Sequence, residues 1–465
     1  MGKSQVVTRP PKGTRDFLPA DLRRRNHVVQ TIRNIYESHG FQPLETPTYE
    51  RLSTLLGKYG DEGDQLVFKL LHRGQPLVSG IRNASEYIAQ EGAIVVGRSG
   101  ETAPGAEALL SDLGLRYDLT VPLARVYAEY RGKLPSPFKR YQIQPVWRAD
   151  TPGKGRFREF YQCDVDIVGS ESRLVEAEVL GAVAECIRKL GFEDFQIRIN
   201  HRELLRAMIE LCDIDSKLES AAIIAVDKLD KVGPEGVLAE LSSKGIDVEA
   251  REALVRLVTG RLTLEQLEEK FCESERGLAA IADLKKVFEL AAGTPASEHV
   301  HFDLSLARGL GYYTGAIFEI AVPDLAGSLG GGGRYDGLIG MFGKQQVPAC
   351  GFSIGLERIL VVMEQRGMFP DDLSAVDVLL GSTQNSKEAE LLSLSYLLRA
   401  QGLKVDLHSA KIKPAKFRQK AEQNGCRYAV WIDHDDGLAV WNRSADSIEK
   451  VERSSLLSVL SSGAS

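Results

Sequence analysis

The feature that most restricts this chain is an interruption. Residues 202–292 place apolar side chains at helical spacing with little β-branched alternation. Strand-like sequence lies on both sides, FQIRIN before the block and HVHFDLSLARGLGYYTGAIFEIAV after it. One element cannot follow periods of 3.6 and 2 at once. The block is therefore expected to be a helical insertion into a sheet domain.

The flanking sequence supplies that sheet. YQIQPVW and FYQCDVDIV alternate with period two, which predicts antiparallel strands around the loop 149–157. Residues 21–38 carry a helical pattern that Gly40 stops, and 171–190 form a second amphipathic helix. FQPLETPTYE reads as a short extended segment broken by Pro43 and Pro47, and 113–130 as short strands and loops. After the glycine run GSLGGGGRYDG, ACGFSIGLERILVVMEQRG reads as an apolar helix. Pro370-Asp371-Asp372 marks a linker. Beyond it VDVLLGST, a helix near 386–401, LKVDLHS, a helix near 413–423 and YAVWID alternate, as in a small α/β domain with a mainly parallel sheet.

The chain has 465 residues, enough for about three domains. Its net charge is −6, from 58 Lys+Arg against 64 Asp+Glu, so it is not a basic coat for nucleic acid as a whole. No run approaches the ~18 apolar residues of a membrane helix. The N-terminal MGKSQVVTRPPKGTRDFLP lacks a signal-peptide core. Six cysteines (163, 186, 212, 272, 350 and 426) show no CxxC spacing. That pattern argues against a disulfide framework or structural zinc and predicts a reducing, cytoplasmic setting.

Local charge departs from the global balance. Arg131, Lys133, Lys139, Arg140, Arg148, Lys154, Arg156 and Arg158 face one acid, Asp150, between 131 and 158. Such a segment around a Gly-containing loop suits phosphate, and a solvated hairpin would look the same. Tyr141, Trp147, Phe157, Phe160 and Tyr161 interleave with it, either to stack a base or to fill the buried face of two strands. Gly330–Gly333 is no P-loop, because no GK[ST] follows. It is either a close-approach backbone for a small ligand or a flexible hairpin tip. Arg308 stands alone in ARGLGYYTG and needs an anion, from a salt bridge or from a ligand. The histidines are scattered, and His299 and His301 read as ordinary strand residues. No GxSxG or HExxH motif is present.

Taken together, these segments resemble the histidyl-tRNA synthetase family of class II aminoacyl-tRNA synthetases. PKGTRDFLP resembles that family's opening, and FQPLETPTYE its motif 1 with Pro47. YQIQPVWRADTPGKGRFREFYQCDVDIVG is similar to motif 2 with Arg148, and GFSIGLERIL to motif 3 with Arg358. LRYDLTVPLAR, RGLGYYTG and GGGGRYDGL resemble the histidine-specific segments, and VDKLDKVGPEGV a signature of the insertion. The chain departs from the pattern at Gly311, where Asp is usual, and at Gly331, where Ala is usual. DHDDGLAVWNRSADSIEK matches only loosely.

The resemblance implies an α+β fold. Its parts would be an antiparallel sheet with flanking helices, a helical insertion, and a C-terminal α/β anticodon-binding-like domain. The expected divisions are 1–201 and 295–370 for the catalytic domain, 202–294 for the insertion and 375–465 for the last domain. The implied activity is ATP-dependent ligation of L-histidine to tRNA(His) through histidyl-adenylate. ATP would be a substrate with Mg²⁺, and the protein a cytoplasmic homodimer away from membranes. Arg148, Arg308 and Arg358 would be the catalytic arginines, and with Arg158 they would bind ATP. Asp118, Leu119, Thr120, Gln162, Asp166, Tyr312, Tyr313 and Tyr335, with Arg148 and Arg308, would bind histidine. The competing expectation is a non-charging, histidyl-tRNA synthetase-like regulatory subunit of ATP phosphoribosyltransferase. Seven basic residues between 404 and 427, against Asp406 and Glu422, would meet RNA phosphates or form a solvated helix face.

Overall fold

A computed structural model describes residues 7–59, 61–91, 109–307, 311–325, 327–343, 345–370, 373, 376–435 and 437–461. Arg308 and the linker residues Asp371 and Asp372 lie outside the described residues. The chain divides into two units, Met1–Asp16 with Val28–Arg366, and Phe17–His27 with Gly367–Ser465.

The first unit is built on an eight-stranded sheet. Its strands are β1 (Gln42–Pro43), β5 (Phe138–Trp147), β6 (Glu159–Val168), β7 (Gln196–His201), β8 (Val300–Phe302), β9 (Ala316–Ala321), β10 (Gly330–Arg334) and β11 (Ala349–Gly355). They lie in the order β1-β5-β6-β11-β10-β9-β7-β8. Pairing is antiparallel except at the two edges, where β1 joins β5 and β8 joins β7 in parallel. The predicted hairpin is the β5–β6 pair, in register from Phe138↔Val168 to Trp147↔Glu159. A smaller antiparallel sheet holds β2 (Tyr49–Arg51), β3 (Lys69–Leu70) and β4 (Leu113–Leu115), in the order β2-β4-β3.

Helical segments from Arg202–Leu211 to Glu275–Ala291 separate β7 from β8, and those two strands are nonetheless neighbours. The interruption is thus a helical block between adjacent strands of one sheet. The helix Leu174–Lys189 buries Val175, Val179, Leu180, Val183 and Ile187. Each fully buried side chain of this size is worth roughly 1.5–3 kcal/mol.

Three local readings change. Residues 120–130 form a helix, Thr120–Tyr130, rather than short strands. Val121 and Val126 suggest a strand, but Asp118 accepts the Val121 amide at 3.0 Å and Pro122 falls in the first turn, where its missing N–H costs little. ACGFSIG is a strand, β11, and only Leu356–Gln365 is helical. The glycine run is a strand as well, not a hairpin tip, and lies between β9 and β11.

The second unit carries a five-stranded sheet. Its strands are β12 (Val378–Ser382), β13 (Val405–Leu407), β14 (Tyr428–Ile432), β15 (Leu438–Asn442) and β16 (Ser447–Val451), in the order β13-β12-β14-β15-β16. The first three are parallel, and β15 and β16 add an antiparallel edge. Alternate residues feed two cores, as a sheet covered on both faces requires. Val378, Leu380, Val430 and Ile432 pack with Leu391 and Leu398, while Leu379, Ala429 and Trp431 pack with Phe417 and Ala421. Among the described residues no helix is long and apolar enough to cross a membrane.

Candidate active site

A cavity of about 930 Å³ opens on one face of the large sheet. Its floor follows from the period of a strand, which sends residues i, i+2 and i+4 to the same side. Gln162, Asp164 and Asp166 of β6 all line it. Register extends the Asp164 row sideways through Ser353, Gly331, Glu319 and Arg198. Glycines keep this floor open. A methyl group on Gly351 would lie 1.9 Å from Asp166 Oδ1, and one on Gly332 would lie 2.0 Å from the Gly351 carbonyl.

The acidic end is ordered by phenols. Asp118, at the entry to the helix Thr120–Tyr130, accepts the Tyr59 hydroxyl at 3.0 Å on Oδ1 and the Tyr312 hydroxyl at 3.3 Å on Oδ2. Tyr335 donates its hydroxyl to Asp166. Burial raises both the Asp118 and the Asp166 carboxyls, with Arg148 opposing at Asp118 and Arg140 at Asp166. Gln162 Nε2 donates to Ser353 Oγ at 2.6 Å.

The arginines enter from other elements. Arg148, just past β5, donates Nε to the Tyr117 carbonyl at 3.0 Å. Its guanidinium sits 4.2 Å from the centre of the Tyr117 ring and 5.2 Å from that of Phe160. Arg358, on the first turn of Leu356–Gln365, donates to the Ser328 carbonyl and packs beside Gly155 of the motif 2 loop. That loop closes on itself through paired 3.0 Å hydrogen bonds between Gly153 and Arg156. The PKGT segment buttresses it, for Gly13, at φ +86°, lies so close that a Cβ would be 2.8 Å from Arg158 Cγ.

Arg148, Arg358, Asp118, Thr120, Gln162, Asp166, Tyr312, Tyr313 and Tyr335 therefore share one cavity. Two expected residues stand apart from its lining. Leu119 is fully buried, and its carbonyl accepts Arg140 at 3.2 Å. Arg158 turns back to donate Nε to the Asp150 carbonyl at 3.0 Å.

The basic segment 131–158 does not act as one phosphate patch. Arg140 is fully buried, 2.9 Å from Asp166 and 3.8 Å from Asp164. Lys139 pairs with Glu178, and Arg131 with Gln345. Arg116, within LRYDLT, is a structural tie. It donates to the carbonyls of Thr46, Pro47 and Pro145 at 2.6, 3.1 and 2.8 Å, and burial lowers its pKa to about 10.

Residues unassigned from sequence also line the cavity. Asp164, Glu319 and Arg198 do so from the floor, and Asp227, Asp230 and Lys231 from the VDKLDK stretch of the helical block. Arg198 links block and floor, 2.7 Å from Asp230 and 3.6 Å from Glu319. The period-two reading of FYQCDVDIV already placed Asp164 beside Gln162 and Asp166. Nothing in the sequence spacing ties VDKLDK to β9.

Comparison with known proteins points one way. A family model described as histidyl-tRNA synthetase matches residues 13–83 and 110–359. A histidine–tRNA ligase of Flavobacterium johnsoniae is 40% identical over 446 residues, 91% of each chain. One of Porphyromonas gingivalis is 41% identical over 435 residues, 92% of each chain. The crystal structure of histidyl-tRNA synthetase from Nostoc sp. PCC 7120 superposes with a TM-score of 0.80 at 27% identity, covering 99% of this chain and 100% of that one. A Bacillus halodurans C protein described as an ATP phosphoribosyltransferase regulatory subunit/histidyl-tRNA synthetase shares the fold, with a TM-score of 0.68 at 22% identity, over 92% of this chain and 98% of that one.

Proposed function

The chain belongs to the histidyl-tRNA synthetase family, and from that membership we propose how its cavity joins L-histidine to tRNA(His) at the expense of ATP. A histidine carboxylate oxygen attacks the α-phosphorus of ATP, the bond to the bridging oxygen breaks, and pyrophosphate leaves. The resulting histidyl-adenylate is attacked at its carbonyl carbon by a hydroxyl of the terminal adenosine of tRNA(His), and AMP leaves.

The protein's part in both steps is positioning and charge stabilisation. Arg148 faces the carboxylate and α-phosphate, where negative charge builds in the transition state. Arg358 takes the terminal phosphates and the adenine side. Arg308 joins them by resemblance. Removing one such donor costs roughly 10²–10³ in rate. Asp118, Gln162 and Asp166 accept the α-ammonium, and Thr120 completes that wall. Tyr313, Tyr335 and Asp166 read the imidazole, whose ring needs one donor and one acceptor. A pocket built to such hydrogen bonds rejects an analogue lacking them by roughly 10⁴–10⁵.

Among the described residues no group of three or more His, Cys, Asp or Glu side chains converges to hold an ion. Mg²⁺ would accompany the ATP phosphates, whose charge it neutralises. Motif 1 with Pro47 supports a homodimer. Six free cysteines, five of them buried, fit a reducing cytoplasm. The basic side chains of 404–427 serve the anticodon arm, with Lys411, Lys413 and Lys416 exposed around the helix Pro414–Gln423. The regulatory-subunit alternative is not favoured, because the relatives at 40–41% identity that span about nine-tenths of the chain are ligases.

The observation that carries the chemistry is one cavity that brings Arg148 and Arg358 together with Asp118, Gln162, Asp166, Tyr312, Tyr313 and Tyr335 from distant parts of the chain. ATP–pyrophosphate exchange screened over the twenty amino acids tests it. Exchange should require histidine. Equal exchange with any other amino acid overturns the proposal.

A further inference from the structure

One guanidinium assembles the β7 side of the cavity. Arg198 of β7 directs each of its three nitrogens to a different residue. Nε donates to Asp303, Nη1 to Asp230 Oδ2 at 2.7 Å, and Nη2 to Ser305 Oγ at 3.1 Å. Nη1 also lies 3.6 Å from Glu319, the cross-strand neighbour on β9. Arg198, Asp230, Ser305 and Glu319 all line the cavity. Three carboxylates, from the helical block, from β9 and from the chain just after β8, therefore face one cation. Without it they would repel one another.

The two ends of this tie differ. Asp303 Oδ1 accepts the Ser305 amide at 2.9 Å and the Ser305 hydroxyl at 2.6 Å, and Arg198 closes that turn from outside. Two positions along β7, on the same face, Asn200 donates Nδ2 to the carbonyls of Leu304 and Leu306 at 3.1 and 2.9 Å. β7 thus holds residues 303–306, which end two residues short of Arg308 in the chain. Asp230, by contrast, is 64% exposed, and an ion pair that open adds little stability by itself. It stands in the turn Leu229–Val232, which Gly233 at φ +71° and Pro234 separate from the helix beyond. The block is fastened independently elsewhere, where Asp283 pairs with Arg173 at 2.5 Å. Losing Arg198 therefore frees the block's cavity-facing turn without detaching the block.

We propose that Arg198 is a positioning residue for adenylate formation, which holds the segment entering Arg308 and the Asp230 turn of the helical block in one fixed arrangement. This rests on the histidine-activating function above and on the part given there to Arg308. The fork of an arginine is required, because the acceptors lie in three directions. A lysine supplies the same charge from a single point.

ATP–pyrophosphate exchange by the full-length protein tests it. Arg198→Lys should lower kcat roughly 10- to 100-fold, the scale of a misplaced catalytic group. Its KM for histidine should stay within about twofold, because the acceptors for histidine stand on β6 and beside the helix Thr120–Tyr130. Asp230→Asn should lower kcat about two- to fivefold. The double variant should be no slower than Arg198→Lys, because Asp230 acts through Arg198. Should Arg198→Lys not fold, Asp230→Asn and Ser305→Ala carry the test, each lowering kcat about two- to fivefold at unchanged histidine KM. A wild-type kcat in these variants overturns the proposal. So does a loss carried by the histidine KM, or a double variant slower than Arg198→Lys by the full Asp230→Asn factor. A purely structural role would lower the melting temperature and leave kcat per folded molecule at its wild-type value, which equally overturns it. Each of these results leaves histidine activation standing, provided wild type exchanges with histidine. Wild type without histidine-dependent exchange would overturn both.

Discussion

Replacing Arg334 should unfasten the glycine strand from beneath. Its guanidinium is 2% exposed and grips Glu176 with two bonds, Nε to Oε1 at 2.6 Å and Nη2 to Oε2 at 2.8 Å. It also donates to the carbonyls of Ser170 and Ser172, each at 3.3 Å, and to Asp336 at 3.2 Å. Arg334→Met leaves the Glu176 carboxylate buried, with Arg173, 3.8 Å away, as a cation still beside it. Breaking one side of a buried pair costs about 3–5 kcal/mol. With a urea slope of a few kcal/mol per molar for a unit this large, the midpoint should fall by about 1 M or more. Far-UV circular dichroism and surviving exchange activity, read along one urea series, measure it. Glu176→Gln should move the midpoint in the same direction. The double variant Arg334→Met/Glu176→Leu should recover most of the loss, because an apolar pair of similar volume is often as stable as a buried ion pair. A single-variant loss below about 1 kcal/mol, or a double variant equal to the sum of its singles, refutes the reasoning.

Other consequences are as direct. Arg358→Ala should lower histidine-dependent exchange by roughly 10²–10³ without shifting the melting temperature, and near-normal turnover would remove it from the phosphate site. Arg308→Ala should abolish exchange while far-UV circular dichroism stays that of wild type; a variant that still turns over near normally would strip Arg308 of its role. Asp164 titrates higher folded than unfolded, so wild type loses stability as pH climbs from the ordinary carboxylate range toward 7, and the deficit is constant above that. The melting temperature of Asp164→Asn minus that of wild type should therefore widen across that window, and a flat difference would contradict it. Replacing Lys411, Lys413 and Lys416 together by Ala should weaken tRNA binding and cut its logarithmic salt slope by roughly 1–3. An unaltered slope would move the anticodon arm elsewhere.

The long-range plan was legible where one periodicity dominated. FYQCDVDIV could pair in few ways, and its alternation put Gln162, Asp164 and Asp166 on a single face. The helical block was legible because its period breaks from that of its flanks. Charge was misleading. Arg140 and Arg148 look alike in sequence, yet one is sealed beneath Asp166 and the other reaches the cavity. Burial decides that difference, and it depends on strands far away in the chain. The helix Thr120–Tyr130 was hidden because its β-branched residues face a packed interior and the amide of its first turn, at Val121, is taken by Asp118, a residue read only for ligand chemistry. The glycines left a hairpin tip open as one reading because strands seldom lack side chains. Here the neighbours β9 and β11 supply the packing instead.

That bare strand also leaves a mark at the level of the gene. Every glycine codon is GGN, so any change in its first two letters adds a side chain or ends the message. At Gly330, Gly332 and Gly333 an added carbon would sit 2.4, 2.0 and 2.5 Å from a backbone oxygen of β11 or β9. Missense variation has no outlet at these three codons, and a saturating mutational scan should find only third-letter changes surviving there.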